Sequence, residues 1–259
     1  MLSPFPINAL MIGTLPGHDF TLFCNDLVRA EASRIRLAQP FVDDTVRETA
    51  PDGGVDLTIG EPDAMDRPTS WGDWLPEGAS AWQYKSGKCP PAKKLVEVEF
   101  QKWKVLETIS RGYPYCFLTA DSISPTKAER IKNALEEIYR AHGQIPKARV
   151  YAATKLAEWA KQHPGVAARH LGVPVTGWLP FDQWERTDDP RNVFFPDKAR
   201  SDLIESIRES VQRGRSMIRV LGRPGFGKTR AAMESVREEG LRQRVLYLRD
   251  ATDLNAEFI

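Results

Sequence analysis

Apolar residues recur at helical spacing from Phe20 to Gln39, at Phe20, Phe23, Leu27, Val28 and Ile35, which predicts a first helix. The stretch "TVRETAPDGGVDLTIG" that follows predicts two short strands joined at Pro51-Asp52-Gly53-Gly54, where the turn chemistry lies. Residues 61–80 carry Pro, Gly, Asp and Trp without a period and predict a long loop. "SAWQYKS" then predicts a strand, and after Pro90-Pro91 a helix runs to about Ile109. "YPYCFLTA" predicts a buried strand, and "SPTKAERIKNALEEIYRAHG" a helix with Ser-Pro at its start and Gly at its end. A strand at "ARVYAA" and a helix at "TKLAEWAKQHP" follow, and His163 before Pro164 is expected to cap a helix end.

From Val173 to Pro196 the periodicity stops, and Trp, Pro, Asp and Phe predict a linker or docking segment. Trp159, Trp178 and Trp184 are expected to dock it. The chain therefore divides into residues 1–172, a linker over 173–196 and a second unit over 197–259. That unit predicts the helix "KARSDLIESIRESVQRG", the strand "SMIRVLG", a Gly-rich loop, the helix "KTRAAMESVREEG" and the strand "QRVLYLRDA".

Composition narrows the possibilities. The formal net charge of +1 excludes a uniformly basic nucleic-acid binder but leaves room for a local basic cleft. Cys24, Cys89 and Cys116 are scattered and lack CxxC spacing, so neither a disulfide framework nor a zinc site is expected, and a reducing cytoplasmic setting is. The sequence shows neither a signal peptide nor a run of about 18 apolar residues, so no membrane association is expected.

The Gly-rich loop "GRPGFGKT" fits G-x-x-x-x-G-K-[ST] between a predicted strand and a predicted helix. Gly222, Gly225 and Gly227 would let backbone N–H groups converge on phosphate oxygens. Lys228 would reach the outer phosphates of ATP, and the Thr229 hydroxyl would join a magnesium shell. Only about thirty residues follow Thr229, and Asp250 is their one acidic candidate on a strand. The expectation is thus a chain cut inside its ATPase domain, without ATP hydrolysis of its own.

A second constellation lies upstream. Residues i and i+2 of a strand share a face, so Gln83 and Lys85 project together. Asp56 in "GGVDLTI" would face them from the neighbouring strand. The Asp56 carboxylate, the Gln83 amide oxygen and the Tyr84 backbone carbonyl are hard oxygen ligands suited to Mg²⁺, and Lys85 would orient water or stabilise phosphorane charge. Asp52 and Asp63 are alternatives to Asp56, and on its own a Gln-x-Lys strand also suits a solvated face. Glu31 sits on the apolar stripe of the first helix, either as a metal-site helper or in a buried ion pair with an arginine such as Arg47. Lys85, Lys88, Lys93 and Lys94 would suit a DNA backbone beside such a site.

In order and content, "GGVDLTI", "WQYKSGK" and "FLTADSISPTKAERIKNAL" resemble the Mrr-like branch of the PD-(D/E)xK nucleases, whose catalytic strand carries Gln-x-Lys. The resemblance runs from Phe20 to Ala153. It implies an α/β restriction-endonuclease-like mixed sheet flanked by helices, with Asp56, Gln83, Lys85 and Glu31 as site residues. The stretch from residue 191 to 238 resembles the entry to STAND-type P-loop NTPases, in which bacterial antiviral proteins join a nuclease effector to an ATPase. Together the two resemblances imply a Mg²⁺-dependent endonuclease acting on double-stranded DNA, regulated by ATP and activated by homo-oligomeric assembly. The alternative is a nucleotide-dependent switch whose first domain binds DNA or a protein without cutting.

Overall fold

The structure is a computed structural model that describes residues 7–37, 42–44, 53–172, 178–187, 194–213 and 217–248. After α1 (Ala9–Gly13), helix α2 spans Gly17–Arg34 and stops five residues short of its expected end, with Arg36 at positive φ just beyond. Strands β1 (Val42–Asp44) and β2 (Leu57–Ile59) pair antiparallel. The first strand expected from Thr45 onward lies outside the described residues, as do Arg47 and Asp52. Gly53 and Gly54 both take positive φ and pack against Trp103, Lys104, Val105 and Lys102, where a Cβ would fall within 3.0 Å of its nearest neighbour at either position.

Strand β3 (Ser80–Lys85) runs antiparallel to β2 and parallel to β4 (Tyr115–Thr119). The crossover between them holds α3 (Ala92–Val98) and α4 (Trp103–Ser110) in place of the single helix expected there. The break has a cause in packing: Phe100 is buried between Tyr115 and Phe117, and the backbone at Lys102 is extended, so the helix cannot continue through it. Helix α5 (Pro125–Ala141) starts as expected, with the Ser124 hydroxyl accepting from the Lys127 amide. It leads to β5 (Ala148–Tyr151), parallel to β4. The sheet order is β1-β2-β3-β4-β5.

Side-chain alternation divides this mixed sheet between two cores. Leu57, Trp82, Tyr84, Cys116 and Leu118 pack on α2, α6 (Ala153–Ala160) and α7 (Pro164–His170). Ala81, Tyr115 and Phe117 face α3, α4 and α5. Trp159 belongs to the first core, stacked on Trp74 and against Trp82, and does not dock the linker. All three cysteines are buried and unpaired.

The linker supplies β6 (Trp178–Pro180) and α8 (Phe181–Glu185), and the second unit supplies α9 (Lys198–Arg213), α10 (Lys228–Ser235), α11 (Glu239–Arg242) and β7 (Leu246–Leu248). Strand β7 pairs antiparallel with β6, and Trp184 stacks on Tyr247 at 4.4 Å between centroids, so the linker does dock here. Residues 217–223 form no strand, against expectation. No ladder partner meets them among the described residues, and Met217 and Leu221 are exposed. The seam between the units is close. The Gly165 amide donates to the Gln243 carbonyl at 2.9 Å, and a Cβ at Gly165 would lie 2.6 Å from that oxygen. No helix among the described residues is long and apolar enough to cross a membrane.

Candidate active site

Gln83 and Lys85 project from β3 toward α3 and α4, as alternation requires, and meet Glu99 just past the end of α3. Lys85 Nζ donates to Glu99 Oε1 at 2.5 Å, and Gln83 Nε2 donates to Oε2 at 3.0 Å. Lys102 Nζ reaches Oε2 at 2.8 Å. The Gln83 amide is oriented by chemistry: an ionised carboxylate only accepts, so the NH₂ must face Glu99. Its carbonyl oxygen then accepts from the Tyr115 hydroxyl at 2.7 Å. Burial alone would raise the Glu99 carboxyl, but the hydrogen bonds from Lys102 and Lys85 outweigh it and hold the group down at about 2. Lys85 keeps 34% of its side chain exposed, so its ammonium is anchored yet reachable.

The carboxylate that shares a volume with the amide and the ammonium is therefore Glu99, not Asp56. Asp56 lies one residue before β2, across from Gln83. Its Oδ2 accepts from the Tyr84 backbone amide at 2.7 Å, and its own N–H donates to the Trp82 carbonyl. Strand N–H groups point along the sheet, so this carboxylate lies in the sheet plane at the edge of β3, not over the Gln83–Lys85 face. Its charge reaches Cys24 on α2, whose thiol is pushed up by burial first and by Asp56 second.

Glu31 belongs to a different centre. Its carboxylate takes Arg34 Nε at 3.1 Å and Arg34 Nη2 at 2.5 Å, His163 Nε2 at 2.8 Å and Trp159 Nε1 at 3.4 Å. This is the buried ion pair, made with Arg34 one helical turn away. His163 precedes α7 but gives it no side-chain cap; the imidazole is turned inward to Glu31. Burial pushes the His163 imidazole down, and although burial alone would raise Glu31, its hydrogen bonds to His163 and Arg34 hold it at about 2.

No group of three or more His, Cys, Asp or Glu side chains suited to a metal exists among the described residues. The donor set for Mg²⁺ is correspondingly narrow. Tyr84 N–H and C=O point to the same side of β3, so the Asp56 carboxylate and the Tyr84 carbonyl share one edge and fit a hard cation that retains water. Gln83 projects instead from the face of the sheet, its NH₂ toward Glu99 and its oxygen accepting from Tyr115. Asp63 makes no hydrogen bond or ion pair with β3 among the described residues, and Asp250 lies outside them.

In the second unit, Gly225 and Gly227 take positive φ, with Gly227 opening α10. Lys228 Nζ donates to the carbonyls of Gly222 and Arg223 at 2.9 and 2.8 Å. Gly225, Gly227, Lys228 and Thr229 line a cavity of about 470 Å³ together with Trp184 and Tyr247.

No family model, curated protein or solved structure matches the chain.

Proposed function

We propose that residues 1–172 form a restriction-endonuclease-like domain that cleaves DNA with Mg²⁺. The observation that carries this reading is Lys85: an ammonium fixed by Glu99 at the C-terminal end of β3, one residue from the amide that holds Asp56. The order of a helix, a three-strand meander and a crossover to a parallel strand supports the same reading. Asp56 and the Tyr84 carbonyl would hold the ion, which when bound would supply Lewis-acid polarisation of a phosphodiester. Lys85 would donate to the phosphoryl oxygens as charge builds on them. Glu99, ionised across the physiological range, keeps Lys85 aimed, and Gln83, braced by Tyr115, keeps Glu99 in place.

The second unit is proposed to bind ATP through Gly222, Gly225, Gly227, Lys228 and Thr229 and to control the nuclease through assembly of several copies in the cytoplasm. Binding requires Lys228 to leave the loop carbonyls for the phosphates, so Lys228→Ala is expected to abolish ATP binding measured by calorimetry. Nuclease activity is tested by nicking of plasmid DNA with Mg²⁺. Loss of nicking in both Lys85→Ala and Asp56→Ala, with unchanged circular dichroism, supports the assignment; full activity in both sinks it.

The alternative is a nucleotide-dependent switch whose first domain holds DNA without cutting. One observation favours it: the Gln83 oxygen and the Lys85 ammonium both already have partners within the protein. It predicts DNA binding that never becomes cleavage under any metal.

A further inference from the structure

Away from Lys85, a groove runs between α4 and the β2–β3 edge. Lys104 lines it near the start of α4; Trp103 and Lys102, the latter sharing Glu99 with Lys85, immediately precede Lys104 in the chain but are not among the residues lining the cavity. The Trp103 ring is 64% exposed, with Lys104 Nζ 5.6 Å from its centroid. Lys104 lines a cavity of about 350 Å³ that extends past Thr58 to Arg111 and Tyr113. Arg111 and Tyr113 also line a second cavity, of about 570 Å³, which reaches Lys147 and Arg149 beside β5.

Charge gives this groove its direction. Glu61 and Glu107 are neutralised by Arg67 and Arg111. Lys104, Lys147 and Arg149 have no carboxylate within 4.0 Å among the described residues, against a single such carboxylate, Glu77. Arg149 is held rigidly, its Nη1 donating to the carbonyls of Asp73 and Trp74 and to the Tyr151 hydroxyl, which neutralise none of its charge.

We infer that this groove is a track for one unpaired nucleic-acid strand, with Trp103 stacking a base beside the candidate active site and Lys104, Lys147 and Arg149 following its phosphates. The inference rests on the nuclease reading and changes its substrate from duplex to single-stranded DNA. An exposed ring between lysines is a stacking platform that any unpaired base can use. A base within a duplex already has both faces covered. Cavities of this volume take ligands of small-molecule size, which is a nucleotide or two of one strand and not a helix whose major groove alone is about 12 Å wide.

The test is fluorescence anisotropy of the whole chain with a labelled DNA strand of about 20 nucleotides and with its duplex, in chelator and without metal. Wild type is expected to bind the single strand more tightly than the duplex. Trp103→Ala should weaken single-strand binding roughly tenfold while Trp103→Phe retains most of it, because an aromatic face is what the base needs. Lys147→Glu should weaken binding and flatten its salt dependence. All three variants change exposed side chains, so folding is not at stake. Equal affinity for duplex and single strand, or no effect of Trp103→Ala, overturns the track. The two readings fail separately. A bound single strand that Mg²⁺ never cleaves rejects the nuclease and leaves the track, whereas plasmid cleavage with Trp103→Ala binding normally rejects the track alone.

Discussion

Glu31 and Glu99 stand on opposite faces of one sheet, and both carboxyls are held at about 2 by hydrogen-bonded cations. Their surroundings differ. Glu31 is fully buried, and its partners are a bidentate arginine, an imidazole with no exposed surface and an indole. Glu99 is gripped by two lysines, each with about a third of its side chain exposed. A depressed pKa therefore does not distinguish a closed centre from an open one. The rest of the shell does: Glu31 is closed in by the buried His163 and Trp159 beside a partly exposed Arg34, whereas both cations on Glu99 keep about a third of their side chains exposed.

Removing each carboxylate should separate the two centres most sharply. Glu31→Ala leaves Arg34 and His163 without their shared acceptor and is expected to cost ~3–5 kcal/mol, read from denaturant unfolding. Glu99→Ala, whose lysines can rehydrate but whose buried Gln83 amide loses its acceptor, should cost less, about 1–3 kcal/mol. Equal losses would erase the contrast.

On the nuclease reading, Lys85→Ala should lower Mg²⁺-dependent DNA cleavage by roughly 100-fold or more while moving the unfolding midpoint little. Glu99→Gln should lower cleavage in the same assay by a smaller factor, since Lys85 loses the anion that holds it in place.

Acid titration gives a smaller but directional effect. Both carboxyls have folded values near 2 against an ordinary 4.5, so their contribution is complete above 4.5 and lost as pH falls from there toward 2. Burial lowers the His163 imidazole from its ordinary 6.5, so the unfolded chain takes up its proton first and stability begins to fall as pH drops below 6.5. Thermal melts should show that earlier limb in wild type and lose it in His163→Gln. An unchanged limb would mean that His163 does not titrate on unfolding.

Much of the open centre was legible in sequence because strand alternation is rigid: Gln83 and Lys85 had to share a face. Glu99 was not legible. Helical periodicity carried a single helix across it to Ile109, and only the burial of Phe100 shows that the chain must break there. For Glu31 the apolar stripe announced burial, and Arg34 stood three residues away, yet His163, far along the chain, gave no sign of being its partner. The P-loop motif was plain, but a strand also needs a neighbour to receive its backbone groups, and residues 217–223 find none among the described residues.

The approach of Gly165 to Gln243 bears on how this chain can be rearranged. A joint that admits a hydrogen atom and excludes a methyl group is a fitted surface, not a tether. Transplanting residues 1–172 onto an unrelated partner domain would strip away the backbone that Gly165 meets. Such chimaeras should be soluble only when residues 239–248 travel with the first domain, so the practical unit of exchange runs past the point where the linker begins.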